Sequence, residues 1–324
     1  MSDQYDYNIL IHPGFAKAMT TFMQDVVFSH HSRINHIGRE YWRDDLPASI
    51  CYESADLMRD IAGKDTIDFD KNQAVHRLEK IRKYRFKKGF LNTISDESLS
   101  YACNADRAVI AERLKSLMPG AKILFTVRSQ YTLLVSAFFW LRFTKLAIPN
   151  TFNKWIKASS LVYNDIYDDF FLRQYRYYEV IETYSQLFGK DNVIVIPIEA
   201  MAKDKEGLCR NLGNFAGVDS NELIQIFDEK PVNVRPSAIS IAYIRLYTKL
   251  GWLWGRQKSA RDVISCGNGL NKKIVHRLNQ IFPQNQVAMD DESRQFITEF
   301  FGRSNYKLAL NYNLELEKYG YPMG

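Results

Sequence analysis

The chain has 324 residues, 46% of them hydrophobic and 25% charged, which excludes a disordered polymer and supplies enough apolar surface for a sizeable core. A net charge of +6 is modest for this length, so it suits an anionic ligand and speaks against a committed nucleic-acid binder. The cysteines Cys51, Cys103, Cys209 and Cys266 are scattered, which excludes a CxxC zinc knuckle; with a polar amino terminus that lacks a secretory pattern, they imply reduced thiols and a cytoplasmic protein.

Residues 7–12 (YNILIH) read as a strand closed by Pro13-Gly14, and a helical pattern follows from about residue 19 to 31. The basic run 77–88 (RLEKIRKYRFKK) carries Leu78, Ile81, Tyr84 and Phe86 near helical spacing, so its cations read as the solvated face of a helix rather than a nucleic-acid patch. Further strands are predicted at 90–94, 123–127 and 193–196, with helical periodicity between them, as in Val109, Leu114 and Leu117. Strands alternating with helices imply a parallel sheet covered on both faces. The longest apolar run, 133–143, contains Ser136 and Arg142 and falls far short of the roughly 20 residues of a membrane span, so it reads as a core helix and no integral membrane segment is expected. Residues 148–174 are aromatic and weakly periodic, as in a lid or acceptor-side insertion. From residue 236 onward only helices are predicted, at 239–250, 272–281, 292–301 and 305–316.

Three turns hold residues suited to chemistry. The first reads His12-Pro13-Gly14-Phe15-Ala16-Lys17-Ala18-Met19-Thr20-Thr21, between strand and helix, where free N–H groups and the helix dipole converge on an oxyanion. Lys17 adds a charge, and Thr20 and Thr21 add hydroxyls. Taken alone, this segment is equally a plain turn with a threonine cap. In a nucleotide-hydrolysing loop, GxxxxGK[ST], lysine directly precedes the Ser/Thr that holds Mg²⁺; here Lys17 lies three residues before Thr20 and the second glycine is missing, which weakens a kinase or phosphotransferase reading. After the strand at 90–94, Ser95-Asp96-Glu97 offers either a helix cap or a carboxylate base. After the strand at 123–127 comes Arg128, with Ser136 eight residues on in the next helix. A guanidinium fork and a hydroxyl suit a phosphate, although a strand-capping arginine and a packing serine fit the same spacing.

In this order the turns resemble the sulfotransferase family, and in particular its bacterial carbohydrate-type members. These open with a strand and a GxxK[ST]G[ST]T-like loop, matched here by Gly14, Lys17, Thr20 and Thr21. The resemblance implies one α/β domain over 1–324: a P-loop-like central parallel sheet flanked by helices in 1–235, with the aromatic insertion at 148–174, and a mostly helical portion in 236–324. It implies 3′-phosphoadenosine 5′-phosphosulfate (PAPS) as donor and 3′-phosphoadenosine 5′-phosphate (PAP) as product, without a metal. Gly14, Phe15, Ala16, Lys17, Ala18, Met19, Thr20 and Thr21 would cradle the phosphosulfate, with Lys17 on the bridging oxygen. Arg128 and Ser136 would hold the 3′-phosphate, and Arg235, in the NVRPS run at 233–237, would fold over the donor. Glu97, within an ISDESL segment similar to the bacterial ISxExL pattern, would be the base, with Asp96 its nearest competitor. The implied partner is a hydroxyl-bearing acceptor, in bacterial members a carbohydrate, and aromatics in 138–167 would either stack on sugar or form core. A homo-oligomer is compatible; nucleic acid is not implied. Met19 stands where the family has glycine, so its bulk either displaces the donor or forces the side chain away from it. A P-loop kinase and an inactive sulfotransferase-fold binding protein are therefore the competing functions. Residues 193–218, with Glu199, and Gly320-Tyr321-Pro322 extend the resemblance without naming any chemistry.

Overall fold

Short runs rich in Ile, Val, Leu and Thr extend as strands β1 (Asn8–His12), β2 (Ile34–His36), β3 (Leu91–Ser95), β4 (Lys122–Val127) and β5 (Val193–Pro197). They pair in parallel as a five-stranded sheet in the order β2-β3-β1-β4-β5, as the alternating pattern predicts. The computed structural model describes residues 7–37, 48–101, 106–144, 148–164, 170–228 and 287–324, with isolated helical positions between 239 and 281. Within the predicted helices at 239–250 and 272–281 only those isolated positions are described, and all are helical; Arg235 with the rest of 233–237 lies outside the described residues.

Beyond β1 the chain forms α1 (Thr20–Phe22), a π-helical turn (Met23–Val27) and α2 (Phe28–His30) as one run. Next come α3 (Ala48–Met58), α4 (Lys71–Arg85), α5 (Arg107–Leu117), α6 (Gln130–Thr144), α7 (Phe152–Asn164), α8 (Phe170–Arg173) and α9 (Tyr177–Phe188). The last are α10 (Ala200–Lys203), α11 (Lys205–Ala216), α12 (Ser220–Phe227) and α13 (Asp291–Tyr312). Among the described residues no helix is long and apolar enough to cross a membrane. Backbone contacts gather the chain into two compact units, one of Met1–Gln130, Phe170–Val232 and Ile297–Gly324, the other of Tyr131–Asp169 and Asn233–Phe296.

The first unit holds the whole sheet. On one face Leu10, Leu91, Leu124, Ile194 and Ile196 pack with Met23, Val26 and Val27 and with Leu208, Leu212, Leu223 and Phe227 of α11 and α12. On the other, Phe125 meets Tyr184 of α9 edge to face, with ring centroids 5.1 Å apart. Truncating such a ring to alanine costs about 3–5 kcal/mol. The sheet order also fixes where a ligand would bind. The connection leaving β1 runs toward β2 on one side, and that leaving β4 runs toward β5 on the other. Between them lies a switch point, where the loops after the strands part and leave a crevice.

Several elements depart from the sequence expectation for identifiable reasons. Strand β2 was not predicted: it has three residues, and its buried Asn35 gives no apolar signal. Asn35 Nδ2 instead donates to Arg85 O and Asn92 Oδ1, both at 2.7 Å. In α4, Leu78 and Ile81 are buried as expected, but Tyr84 is exposed and Arg82 and Arg85 take buried positions. Arg77 of the same basic run is bound by carboxylates on α3 and the turn after it, at 2.8 Å from Glu53 and 2.9 Å from Asp60. The stretches predicted at 292–301 and 305–316 are one continuous helix, α13, because Gly302 between them stays helical. Its glycine serves packing: a Cβ there would lie 2.7 Å from Gly324 N.

The second unit contains α6 beyond Gln130, α7 and the first turn of α13. Residues 148–174, weakly periodic in sequence, thus include a regular helix. In this unit Phe138, Phe152 and Trp155 are buried and pack on one another with ring centroids 5.7–5.9 Å apart. Of the two readings of the 138–167 aromatics, core is the one these three fulfil.

His12 and His36 lie under the rim of the sheet. Burial, aided by the neighbouring His36, lowers the His12 pKa to about 3. Burial and Arg85, opposed by a hydrogen bond with Thr93, lower that of His36 to about 4. Below pH ~6.5 the unfolded chain therefore takes up protons that the folded chain refuses, and stability falls as the pH drops. Urea unfolding at pH 7.5 and 5.5 is expected to show this loss, and His36→Gln should flatten it by about one proton's worth of slope. Equal stability at both pH values would contradict the assignment.

Candidate active site

The loop after β1 is held by its own side chains. Phe15 is 1% exposed and Ala18 fully buried, and the Phe15 ring lies 4.6 Å from Tyr177 and 5.5 Å from Phe125. With these anchors inside, Phe15 and Ala18 have only their backbone to offer a ligand, while Ala16 and Lys17 are half-buried above them. Gly14 (φ 58°), Lys17 (φ 69°) and Met19 (φ 66°) are left-handed, whereas Ala18 is not. Such alternation turns successive N–H groups to one side and makes a concavity of a shape that suits an anion. It is strained, since a left-handed residue other than glycine costs about 1–2 kcal/mol. Glycine is required at position 14 on two counts, its positive φ and the close approach of the Thr20 methyl, which leaves no room for a Cβ.

Met19, which stands where the resembled family has glycine, is part of the core. Its side chain packs against the apolar core and lines a cavity of about 10 Å³ with Met23, Met201, Leu208 and Phe227. The side chain thus has apolar neighbours in the core rather than standing free above the loop. The left-handed backbone normally supplied by glycine is kept, and core packing offsets its cost.

The loop after β3 is tied to the first. The Thr20 hydroxyl donates to Glu97 Oε1. Asp96, buried, is occupied in capping the turn Glu97–Leu99: its Oδ1 accepts from Ser98 N at 2.8 Å and from Ser98 Oγ at 2.7 Å. Between the two carboxylates considered in the sequence, Glu97 reaches the loop and Asp96 is the cap. Beneath them His12 is fully buried, with Nδ1 2.8 Å from Ser95 Oγ and Nε2 3.1 Å from Thr126 Oγ1. Gln24, in the π-helical turn, donates to Ser95 O at 3.2 Å and Ser95 Oγ at 3.0 Å. This network ties the ends of β1, β3 and β4 together.

The loop after β4 reaches the first loop from the other side of the switch point. Arg128 Nη1 donates to Lys17 O at 3.2 Å. Burial lowers the Arg128 pKa, opposed by Glu199 and by Tyr177 and Tyr321; a guanidinium so placed remains charged. The Arg128 backbone is held twice by the buried Tyr177 hydroxyl, which accepts from Arg128 N at 3.3 Å and donates to Arg128 O at 2.7 Å. Ser129 N donates to Glu199 Oε1 at 2.9 Å. Sequence reasoning gave Tyr177 and Glu199 no role: one is an aromatic among many, and the other a carboxylate after a late strand. Ser136 lies in α6, half-buried, in the second unit. Thr21 is half-buried at the start of the first helical run. Among the described residues no group of His, Cys, Asp and Glu is arranged to hold a metal ion.

No family model and no curated protein matches the chain. Among solved structures it is similar to a sulfotransferase from Alicyclobacillus acidocaldarius, at 16% identity and a TM-score of 0.53, over 97% of this chain and 98% of that one. It also aligns with a sulfotransferase domain from the curacin biosynthetic pathway, at 11% identity and a TM-score of 0.44, over 92% of this chain and 98% of that one. A mouse sulfotransferase complexed with PAP aligns at 15% identity and a TM-score of 0.40, over 69% of this chain and 65% of that one. The likeness to the Alicyclobacillus acidocaldarius protein shows that this chain has the sulfotransferase fold.

Gly14→Ala is expected to destabilise the protein by about 1–3 kcal/mol, because the new methyl meets both an unfavourable φ and the Thr20 side chain. Urea unfolding measures this, and an unchanged midpoint would contradict the description of the loop.

Proposed function

We propose that the protein is a PAPS-dependent sulfotransferase that moves a sulfuryl group to an acceptor hydroxyl, with a carbohydrate as the acceptor class. The observation that carries this reading is the meeting of three strand-end loops at the switch point, with Arg128 bonded to the Lys17 carbonyl at 3.2 Å and Thr20 bonded to Glu97. A concave run of N–H groups beside a lysine and an arginine fits a ligand with two separated anionic groups, and no side chain projects from Gly14 to fill the cradle.

The donor would supply an activated sulfur. Glu97 would take the proton of the acceptor hydroxyl as its oxygen bonds to sulfur, and Lys17 would steady the charge gathering on the phosphate oxygen as the old S–O bond breaks. Gly14 to Thr21 would hold the phosphosulfate end, largely through backbone N–H groups. Arg128 would hold the 3′-phosphate; Ser136 as a second donor to it, and Arg235 as a residue over the donor, are proposed from the sequence alone. A sulfuryl group carries less charge than a phosphoryl group, so protein cations suffice in place of a metal.

A transfer assay with labelled PAPS and a panel of sugar and phenol acceptors tests the scheme. Glu97→Gln should lower turnover by about 10²–10⁴-fold while PAP still binds. Lys17→Ala should lower it by about 10²–10³-fold. Arg128→Ala should weaken PAP binding by about tenfold or more. Turnover of the Glu97 variant at the wild-type rate, or strict dependence on Mg²⁺, would overturn the proposal.

A further inference from the structure

The segment Gly320–Pro322 is bound, residue by residue, to the residues that follow Arg128. Ser129 Oγ donates to Gly320 O at 2.7 Å. Tyr321 OH donates to Glu199 Oε2 at 3.0 Å, while the other oxygen of the same carboxylate accepts from Ser129 N at 2.9 Å. Asn305 Nδ2 donates to Pro322 O at 2.8 Å and to Gln130 Oε1 at 2.9 Å. Three consecutive residues of one segment thus face Ser129 and Gln130 through direct bonds or a single shared side chain. Tyr321, Ser129, Gln130 and Asn305 are all buried, so water competes little for these bonds. Gly302 of α13 keeps the path open, since a Cβ there would lie 2.7 Å from Gly324 N and 3.0 Å from Met323 C.

This arrangement exceeds what anchoring such a segment to the core would need. Apolar packing alone could do that, whereas here a carboxylate with two anchored oxygens fixes one specific backbone N–H, next to the arginine nearest the anion-binding loop. The Tyr177 hydroxyl fixes the Arg128 backbone itself. A guanidinium recognises an anion through a fork whose aim depends on the backbone beneath it, and a small misplacement weakens the pair of bonds it can make.

We infer that Tyr321, Glu199 and Ser129 are positioning residues that aim Arg128, so that the segment Gly320–Pro322 sets how strongly the site discriminates a nucleotide bearing a 3′-phosphate from one that lacks it. The inference rests on the donor reading above for the identity of the ligand, but the clamp itself can be tested without a ligand. None of these residues touches the reacting atoms; they act through Arg128.

The test uses Tyr321→Phe, which removes a single oxygen, and Ser129→Ala, which removes the tie to Gly320, each compared with the wild type by calorimetric titration with PAP and with adenosine 5′-phosphate. Both variants are expected to lose about tenfold in PAP affinity and to keep adenosine 5′-phosphate binding within about twofold, so that the ratio of the two collapses. An equal loss for both nucleotides, or no loss, overturns the inference. Amide hydrogen exchange without nucleotide provides the independent readout: Tyr321→Phe should speed exchange at Ser129 N–H by about tenfold, and unchanged exchange overturns the clamp. If the wild type binds neither nucleotide, the donor reading fails and the exchange result alone decides the clamp.

Discussion

The site depends on one strained turn. Between β1 and the first helical run, Lys17 and Met19 hold left-handed backbone that their side chains disfavour, and the loop's N–H groups converge only while they do so. Burial maintains it: Phe15 and Ala18 are sealed into the interior, Gly14 gives way to Thr20, and the Met19 side chain packs into the core. The other two loops then lean on this turn, one through Thr20 and Glu97, the other through Arg128 and the Lys17 carbonyl. The concave turn is thus a product of core packing as much as of the residues that line it.

What the sequence disclosed follows from the same physics. Strands buried on both faces are long apolar runs, and β1, β3, β4 and β5 were readable within a residue or so at each end. Strand β2 was not, because it is only three residues long and its buried side chain is the polar Asn35, held by amide hydrogen bonds. The residues at strand ends could be named from type and order, since Gly14, Lys17, Glu97 and Arg128 each suit an anion or a proton. Their supports could not. Tyr177, Glu199 and Tyr321 become partners of one loop only through chain folding that brings together residues far apart in sequence, and no local pattern marks that. Which of Asp96 and Glu97 caps the turn was likewise a matter of geometry: Asp96 accepts from Ser98 N, while Glu97 is bonded to Thr20.

Met19 is the instructive departure. A bulky residue where the resembled family has glycine raises the question of where its side chain goes. Here the left-handed backbone sends it toward Met23 and Phe227, so the residue acts as part of the hydrophobic core that holds the loop. Gln24 makes a related point: the π-helical turn that carries it is a local irregularity, and its amide is bonded to the end of β3 beneath Glu97.

The central claim, that the turn at Lys17 and the guanidinium of Arg128 together receive a nucleotide with phosphates at both ends, is tested most directly by thermal unfolding in the presence of PAP and, separately, of ATP with Mg²⁺. The account predicts a saturable rise in the unfolding temperature with PAP and little change with ATP and Mg²⁺, since the loop lacks the lysine and hydroxyl spacing that holds the metal complex. Stabilisation by ATP and Mg²⁺ with none by PAP would contradict it.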